Sequence, residues 1–304
     1  MQKYLPFLLV ILLFISCNSS SKTKGSDDKD LLTVTIEPQR YFLEQIAGDT
    51  YKINTLVPPG TSPETYEPAP SVMLNMAKSK IYFKVGDLGF ERAWSTRLAE
   101  NNPDVLIVDC SEGIDLMIGH QHIQSDSHDN QNHETQSGEN NTNESMDPHV
   151  WSSPKAVKIF SKNMLDALIS AYPKNEEMFR INFDRFMAKV DSTDSLISNV
   201  LKDMPGRAFM IYHPALSYFA NDYNLHQHSI EFEGKNPSPA QIRELVDVAR
   251  KENINTLFMQ KGFDKKNAEV IASEVGTEVF DIDPLNYNWD EELIRIAKIL
   301  SREE

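Results

Sequence analysis

Four short polar motifs carry the residue types that bind metal ions. They are Val57-Pro58-Pro59-Gly60-Thr61-Ser62-Pro63-Glu64-Thr65-Tyr66-Glu67-Pro68, Met146-Asp147-Pro148-His149-Val150-Trp151, Tyr212-His213-Pro214-Ala215 and Asp281-Ile282-Asp283-Pro284-Leu285. Each sets an imidazole or a carboxylate close to a proline, whose fixed φ stiffens the loop presenting it. Glu64, His149, His213 and Asp283 together supply two imidazoles and two carboxylates, two ligands from each half of the chain. Two neutral imidazoles and two carboxylates neutralise a divalent cation and suit a first-row transition metal. A lone His-Pro or Asp-Pro is ordinarily a turn or a cap, so the weight rests on all four together. Each follows a candidate strand or closes a polar loop. Ligands of open α/β sheets bind beyond the carboxyl ends of the strands, so all four motifs can face one cleft.

The second motif ends an unusual stretch. No lysine or arginine occurs between Arg97 and Lys155, and five of the eight histidines fall between 120 and 149. Residues 124–145 are polar throughout, too poor in apolar side chains to pack, and read as a mobile loop. Imidazole and carboxylate without a competing cation attract divalent ions, so His120, His122, His128 and His133 are expected to give weak, auxiliary metal capture; a merely solvated insert is the alternative. His226 and His228, two apart, share one face of a candidate strand and are expected at an exposed sheet edge rather than at a metal. Asp147 can orient His149 from behind.

The elements that must hold these motifs follow from hydrophobic patterning. Short apolar runs predict strands at 31–36, 51–57, 80–85, 105–109, 208–212, 228–232, 256–259 and 278–282. Helix-period segments lie between them at 40–47, 71–77, 90–99, 215–223, 239–252, 265–275 and 290–301. Alternating strand and helix in both halves indicates two α/β domains with mostly parallel sheets. Ser238-Pro239-Ala240-Gln241 has the N-cap serine, the first-turn proline and the Gln of a capping box. In the middle, Phe179, Phe183, Phe186, Val190, Ile197 and Leu201 recur at spacings of three, four and seven, with no Gly or Pro between 175 and 204. This predicts one amphipathic helix of roughly 40 Å, read as a rigid connector packed along both domains. Another helix, at 154–172, precedes it.

The N-terminus reads as an export signal. Lys3 precedes an apolar core at 5–15 that is too short to span a bilayer. Ser16-Cys17 then resembles the bacterial lipobox, in which the cysteine is lipidated, although Phe14 stands where leucine is usual; an ordinary secretory signal is the alternative. Residues 17–30 read as a flexible tether. The other cysteine, Cys110, closes an apolar run and is expected to be a small buried residue. A net charge of −15 argues against nucleic-acid binding and suits attraction of cations.

From about residue 31 onward the chain resembles the metal-binding solute receptors of bacterial zinc and manganese ABC importers. The resemblance rests on Ile46-Ala47-Gly48-Asp49, the Pro-Pro-Gly…Tyr-Glu-Pro run, Gly86 with Glu91, the histidine-containing insert, His149-Val150-Trp151, the long helix, His213-Pro214, Pro237-Ser238-Pro239 and Asp281-Ile282-Asp283-Pro284-Leu285. It implies two Rossmann-like α/β lobes joined by a long rigid backbone helix, with metal bound between them. In those terms the chain divides into a signal at 1–16, a tether at 17–30, an N-terminal lobe at 31–173 with its insert at 119–146, a connector helix at 174–204 and a C-terminal lobe at 205–304. His149, His213 and Asp283 match the family's ligand positions; Glu64 stands where histidine is usual. A second carboxylate hardens the site toward manganese or iron, whereas the imidazole at His213 and the histidine-rich insert favour zinc. A water in place of Glu64 is the alternative.

The expected function is therefore capture of Zn2+, with Mn2+ or Fe2+ as the alternative, and delivery to an ABC permease with its ATPase, from a lipid-anchored position outside the cytoplasmic membrane. A metal-dependent hydrolase would need an open metal position and a general base. The sequence has no His-Glu-x-x-His, Gly-x-Ser-x-Gly or glycine-rich phosphate loop. A surface adhesin or metal buffer is the third reading.

Overall fold

The computed structural model describes residues 29–119, 146–231 and 234–302. The first lobe runs β1 (Leu31–Val34), α1 (Glu37–Ala47), β2 (Lys52–Thr55), α2 (Pro70–Met76), β3 (Ile81–Lys84), α3 (Gly89–Asn101) and β4 (Leu106–Asp109). Its sheet has the order β2-β1-β3-β4 and is parallel throughout. Two helices follow, α4 (Pro154–Ala171) and α5 (Glu176–Leu201). The second lobe repeats the plan with β5 (Ala208–Ile211), α6 (Ser217–Asp222), β6 (His226–Ser229), α7 (Pro239–Lys251), β7 (Thr256–Gln260), α8 (Lys266–Val275), β8 (Glu278–Ile282) and α9 (Trp289–Leu300). Its order, β6-β5-β7-β8, is again all parallel. In each sheet the chain reverses its winding beside the first strand, and that reversal opens a crevice at the strands' carboxyl ends.

The connector helix is α5, and its burial follows the spacing of its apolar residues. Phe179, Phe186, Val190, Ile197 and Leu201 are buried and Phe183 is half-buried, while charged residues face water. Glu176 and Glu177 occupy its first turn, where the helix dipole favours negative charge. One continuous apolar core joins α1, α4, α5 and α9 to faces of both sheets. At its centre Phe42 of α1 meets Phe160 of α4, Phe186 of α5 and Trp289 of α9, with ring centroids 6.1, 5.7 and 5.2 Å away. The helix is thus a shared wall of both lobes.

Side-chain caps start two of the helices. Ser153 accepts from the Ala156 amide at 3.0 Å at the start of α4. Ser238 and Gln241 form the expected capping box on α7, with N···O distances of 2.8 and 3.4 Å. One strand departs from expectation: β6 spans His226–Ser229, not 228–232. The parallel register pairs Ala208 with His226 and Ile211 with Ser229; beyond it the Ile230 amide donates to the Ile211 carbonyl at 2.8 Å and the Glu231 amide to the Tyr212 carbonyl at 3.0 Å. β6 is an edge strand, and His228 Nε2 there lies 2.8 Å from Glu252. Cys110 is fully buried, and that burial pushes its thiol well above its usual range.

Candidate metal centre

All four sequence motifs reach one cavity. Its walls include Gly60 to Pro63, His149, Trp151, His213, Ala215, Gln260, Lys261, Phe263, Asp283, Pro284 and Leu285, around a space of about 50 Å³. His213 follows β5, beside the winding reversal of its sheet, and Asp283 follows β8. His149 lies five residues before α4, on a segment tied at both ends. Its Asp147 amide donates to the Met117 carbonyl at 2.8 Å, and Trp151 Nε1 donates to the Pro284 carbonyl at 2.9 Å. Glu64 sits in the loop between β2 and α2, where its Oε2 accepts from the Gly89 amide at 3.1 Å.

The two imidazoles meet edge to face, with Nε2 atoms 3.1 Å apart. Each ring is oriented from behind by a carboxylate. His149 Nδ1 lies 2.7 Å from Asp147 Oδ1, and His213 Nδ1 lies 2.6 Å from Glu231 Oε1. An ionised carboxylate only accepts, so each Nδ1 carries the proton and each neutral ring turns a bare Nε2 lone pair toward the other. Two facing lone pairs repel unless a cation lies against both: a proton in the metal-free protein, which the raised pKa of His149 favours, or a metal ion in its place. Tetrahedral zinc with bonds of about 2.0–2.1 Å sets its ligand atoms about 3.3 Å apart, close to the spacing of these nitrogens.

Glu64 completes the group. Ligand atoms of Glu64, His149 and His213 all lie within 4.8 Å of one another, the group of three so placed among the described residues. Its Oε1 is buried with no hydrogen-bond donor, while Oε2 is held by Gly89 and faces Arg92 at 3.6 Å. A buried carboxylate oxygen without a donor fits a cation. Asp283 stands on the same cavity wall, but its carboxylate is turned to Lys261 Nζ, 3.0 Å away, and is not among the three. The structure thus draws together three of the four expected ligands and leaves the fourth close by.

Charge around the rings is also ordered. Burial disfavours a charged His149, but Asp147's charge and hydrogen bond outweigh it, with smaller help from Glu64 and Glu231, and its pKa is raised. Burial likewise works against an ionised Asp147, yet His149 holds that carboxyl down at about 2.

A family model described as zinc-uptake complex component A, periplasmic, matches residues 32–294. The chain belongs to this family. It is 29% identical over 281 residues to the high-affinity zinc uptake system protein ZnuA of Bacillus subtilis (strain 168), covering 89% of this chain and 84% of that one. A crystal structure of ZnuA superposes with a TM-score of 0.80 at 31% identity, covering 90% of this chain and 98% of that one. A zinc-bound ZnuA deletion mutant matches with a TM-score of 0.79, also at 31% identity, over 90% and 97% of the two chains. The family is one of metal-binding transport receptors, not of enzymes. Among the described residues no helix is long and apolar enough to cross a membrane.

Three site residues escaped the sequence reading. Glu231 was hidden because 228–232 reads as continuous strand; its amide donates to the Tyr212 carbonyl at 3.0 Å, which sets its side chain beside His213. Lys261 gave no signal, being one lysine at a strand end. Phe263, stacked on the His213 ring at 5.7 Å, is similarly silent in sequence. His120, His122, His128, His133 and Cys17 lie outside the described residues.

Proposed function

We propose that Glu64, His149 and His213 capture a divalent transition metal between the lobes as cargo, that the ion is zinc, and that Asp283 is available as a fourth ligand. The carrying observation is the pair of imidazole Nε2 atoms 3.1 Å apart, each locked from behind by a carboxylate, beside the donor-free oxygen of Glu64. Two imidazoles weight the set toward zinc over manganese or iron. The cavity suits an ion with a few small ligands rather than an organic substrate. The zinc-uptake names of the relatives support the same cargo.

The cargo is delivered to an ABC permease driven by its ATPase, from a chain anchored to the membrane through lipidated Cys17 and the tether at 17–30. His120, His122, His128 and His133 act as a weak collector beside the cavity: the antiparallel bridge between Ile118 and Met146 brings both ends of that stretch next to Asp147 and His149. The lobes divide at the connector helix, with 31–173 before it and 205–304 after it.

Titration of metal-free protein with zinc and with manganese tests the reading. One tight site is expected, tighter for zinc, surviving deletion of 120–145 and lost in both His149→Ala and His213→Ala. Unchanged affinity in the two alanine variants, or loss of tight binding with the deletion, overturns it.

A further inference from the structure

Apart from its two histidines, the cavity is lined by neutral and acidic side chains with one exception, Lys261. An ammonium on the wall of a cation site opposes the ion the site is built to hold. Its position is set by the sheet. The β7–β8 register pairs Gln260 with Ile282, and the Lys261 amide donates to the Ile282 carbonyl at 3.3 Å, so Lys261 and Asp283 emerge side by side just past the strands. Nζ then lies 3.0 Å from Asp283 Oδ2. The Asp283 backbone is anchored separately, its amide donating to Glu292 Oε1 at 2.7 Å. The neighbouring carboxylate, Asp281, is already engaged by Lys265 at 2.7 Å.

The first lobe's carboxylate is treated differently. Arg92 lies 3.6 Å from Glu64 Oε2, and Oε1 is buried with no hydrogen-bond partner. Lys261 instead engages its carboxylate on the cavity wall. Its side chain is 65% exposed against 26% for Asp283, so the ammonium can swing into water while the carboxylate stays.

Resting on the metal site argued above, we propose that Lys261 is a resident counter-cation that the incoming metal displaces from Asp283. Loading is an exchange: the divalent ion enters, the ammonium leaves to solvent, and Asp283 turns from a lysine partner into the fourth ligand. In reverse, Lys261 re-pairs with Asp283 as the ion departs. The lysine thus lowers affinity and speeds release, which serves a receptor that must surrender its cargo.

The test uses the full chain and its Lys261→Gln variant, with zinc alone as the probe and a chelator as competitor. Exchanging one partly exposed ion pair is worth about 1.5-fold to fivefold, so Lys261→Gln should tighten zinc by that factor and slow its release to chelator. The effect should shrink in an Asp283→Asn background, where nothing holds the ammonium in the cavity. In the unsubstituted protein, zinc should raise amine labelling of Lys261 relative to Lys265. Unchanged or weaker zinc binding in Lys261→Gln, or labelling indifferent to zinc, overturns the exchange. If binding is lost in His149→Ala and His213→Ala while Lys261→Gln changes nothing, the metal site stands and only the lysine's role falls. If the histidine variants still bind, both fall.

Discussion

Asp147 and Glu231 give the two imidazoles something neither histidine can supply alone: a fixed tautomer. By accepting from Nδ1 they commit both Nε2 lone pairs to the cavity and make each ring a stronger base. Asp147→Asn and Glu231→Gln should each weaken zinc by about 10- to 100-fold, the usual effect of removing such a partner, with the fold intact by circular dichroism; unaltered affinity in both would falsify the orienting role. The same contact gives His149 opposite pH slopes in the free and loaded protein. Its raised pKa means that the metal-free fold gains stability from protonated His149 in full below the ordinary histidine value of about 6.5. That gain is lost as pH rises through the raised folded value. Zinc needs the unprotonated ring, so affinity falls as pH drops through that same value, beginning above 6.5. Melting of metal-free protein compared with His149→Gln should show the difference in stability shrinking as pH rises above about 6.5, while zinc affinity rises in the same direction. Parallel slopes count against the assignment. The histidines themselves were legible in sequence because four proline-flanked motifs occur together, each read from a few consecutive residues. Their partners were not: an Asp two residues away is only suggestive, and Glu231 is eighteen residues from His213.

At the scale of elements, the sequence revealed the strands because both sheets are buried and their strands read as short apolar runs. Most observed bounds fall within a few residues of the expected ones, and β6 fails for a specific reason. His226, Gln227 and His228 carry no apolar signal at an exposed edge, whereas Ile230 just beyond the ladder does, so patterning pulls the strand toward the wrong end. What composition could not convey is the tightness with which α3 holds the Glu64 loop. A Cβ at Gly89 would lie 2.5 Å from the Glu64 carbonyl oxygen and 2.6 Å from its Oε2. Gly89→Ala must therefore push the loop away, costing about 1–3 kcal/mol as overpacking does and weakening zinc through displaced Glu64. Gly276→Ala is the control. That glycine has φ +76 and open space around it, so alanine there should cost about 1 kcal/mol from backbone strain alone and leave zinc affinity unchanged. Chemical melts and zinc titrations of the two variants separate the effects; equal affinity in both means that Gly89 does not position Glu64.

For the whole molecule, the decisive feature is that one apolar core runs through α1, α4, α5 and α9 into both sheets. The aromatic spacing of 175–204 announced a long amphipathic helix, but whether it stood free or was packed on both sides depended on partners far away in sequence, Phe42 and Trp289 among them. The tryptophans carry that packing up to the site. Trp289 Nε1 donates to the Trp151 carbonyl at 2.6 Å, and Trp151 Nε1 to the Pro284 carbonyl at 2.9 Å, tying the His149 segment to the loop of Asp283. Lobes joined in this way have little freedom to open as hinged halves, and an ion bound between them ties both to one unfolding event. Calorimetry should accordingly give a single transition for metal-free and for zinc-loaded protein. Free zinc at a hundred times the dissociation constant should add about 2.7 kcal/mol, which for a chain of this size raises the midpoint by about 4–5 °C. The radius of gyration from solution scattering should stay within error on loading. Two resolved transitions, or a marked contraction with zinc, would mean that the shared core does not couple the lobes and that capture proceeds by wide closure instead.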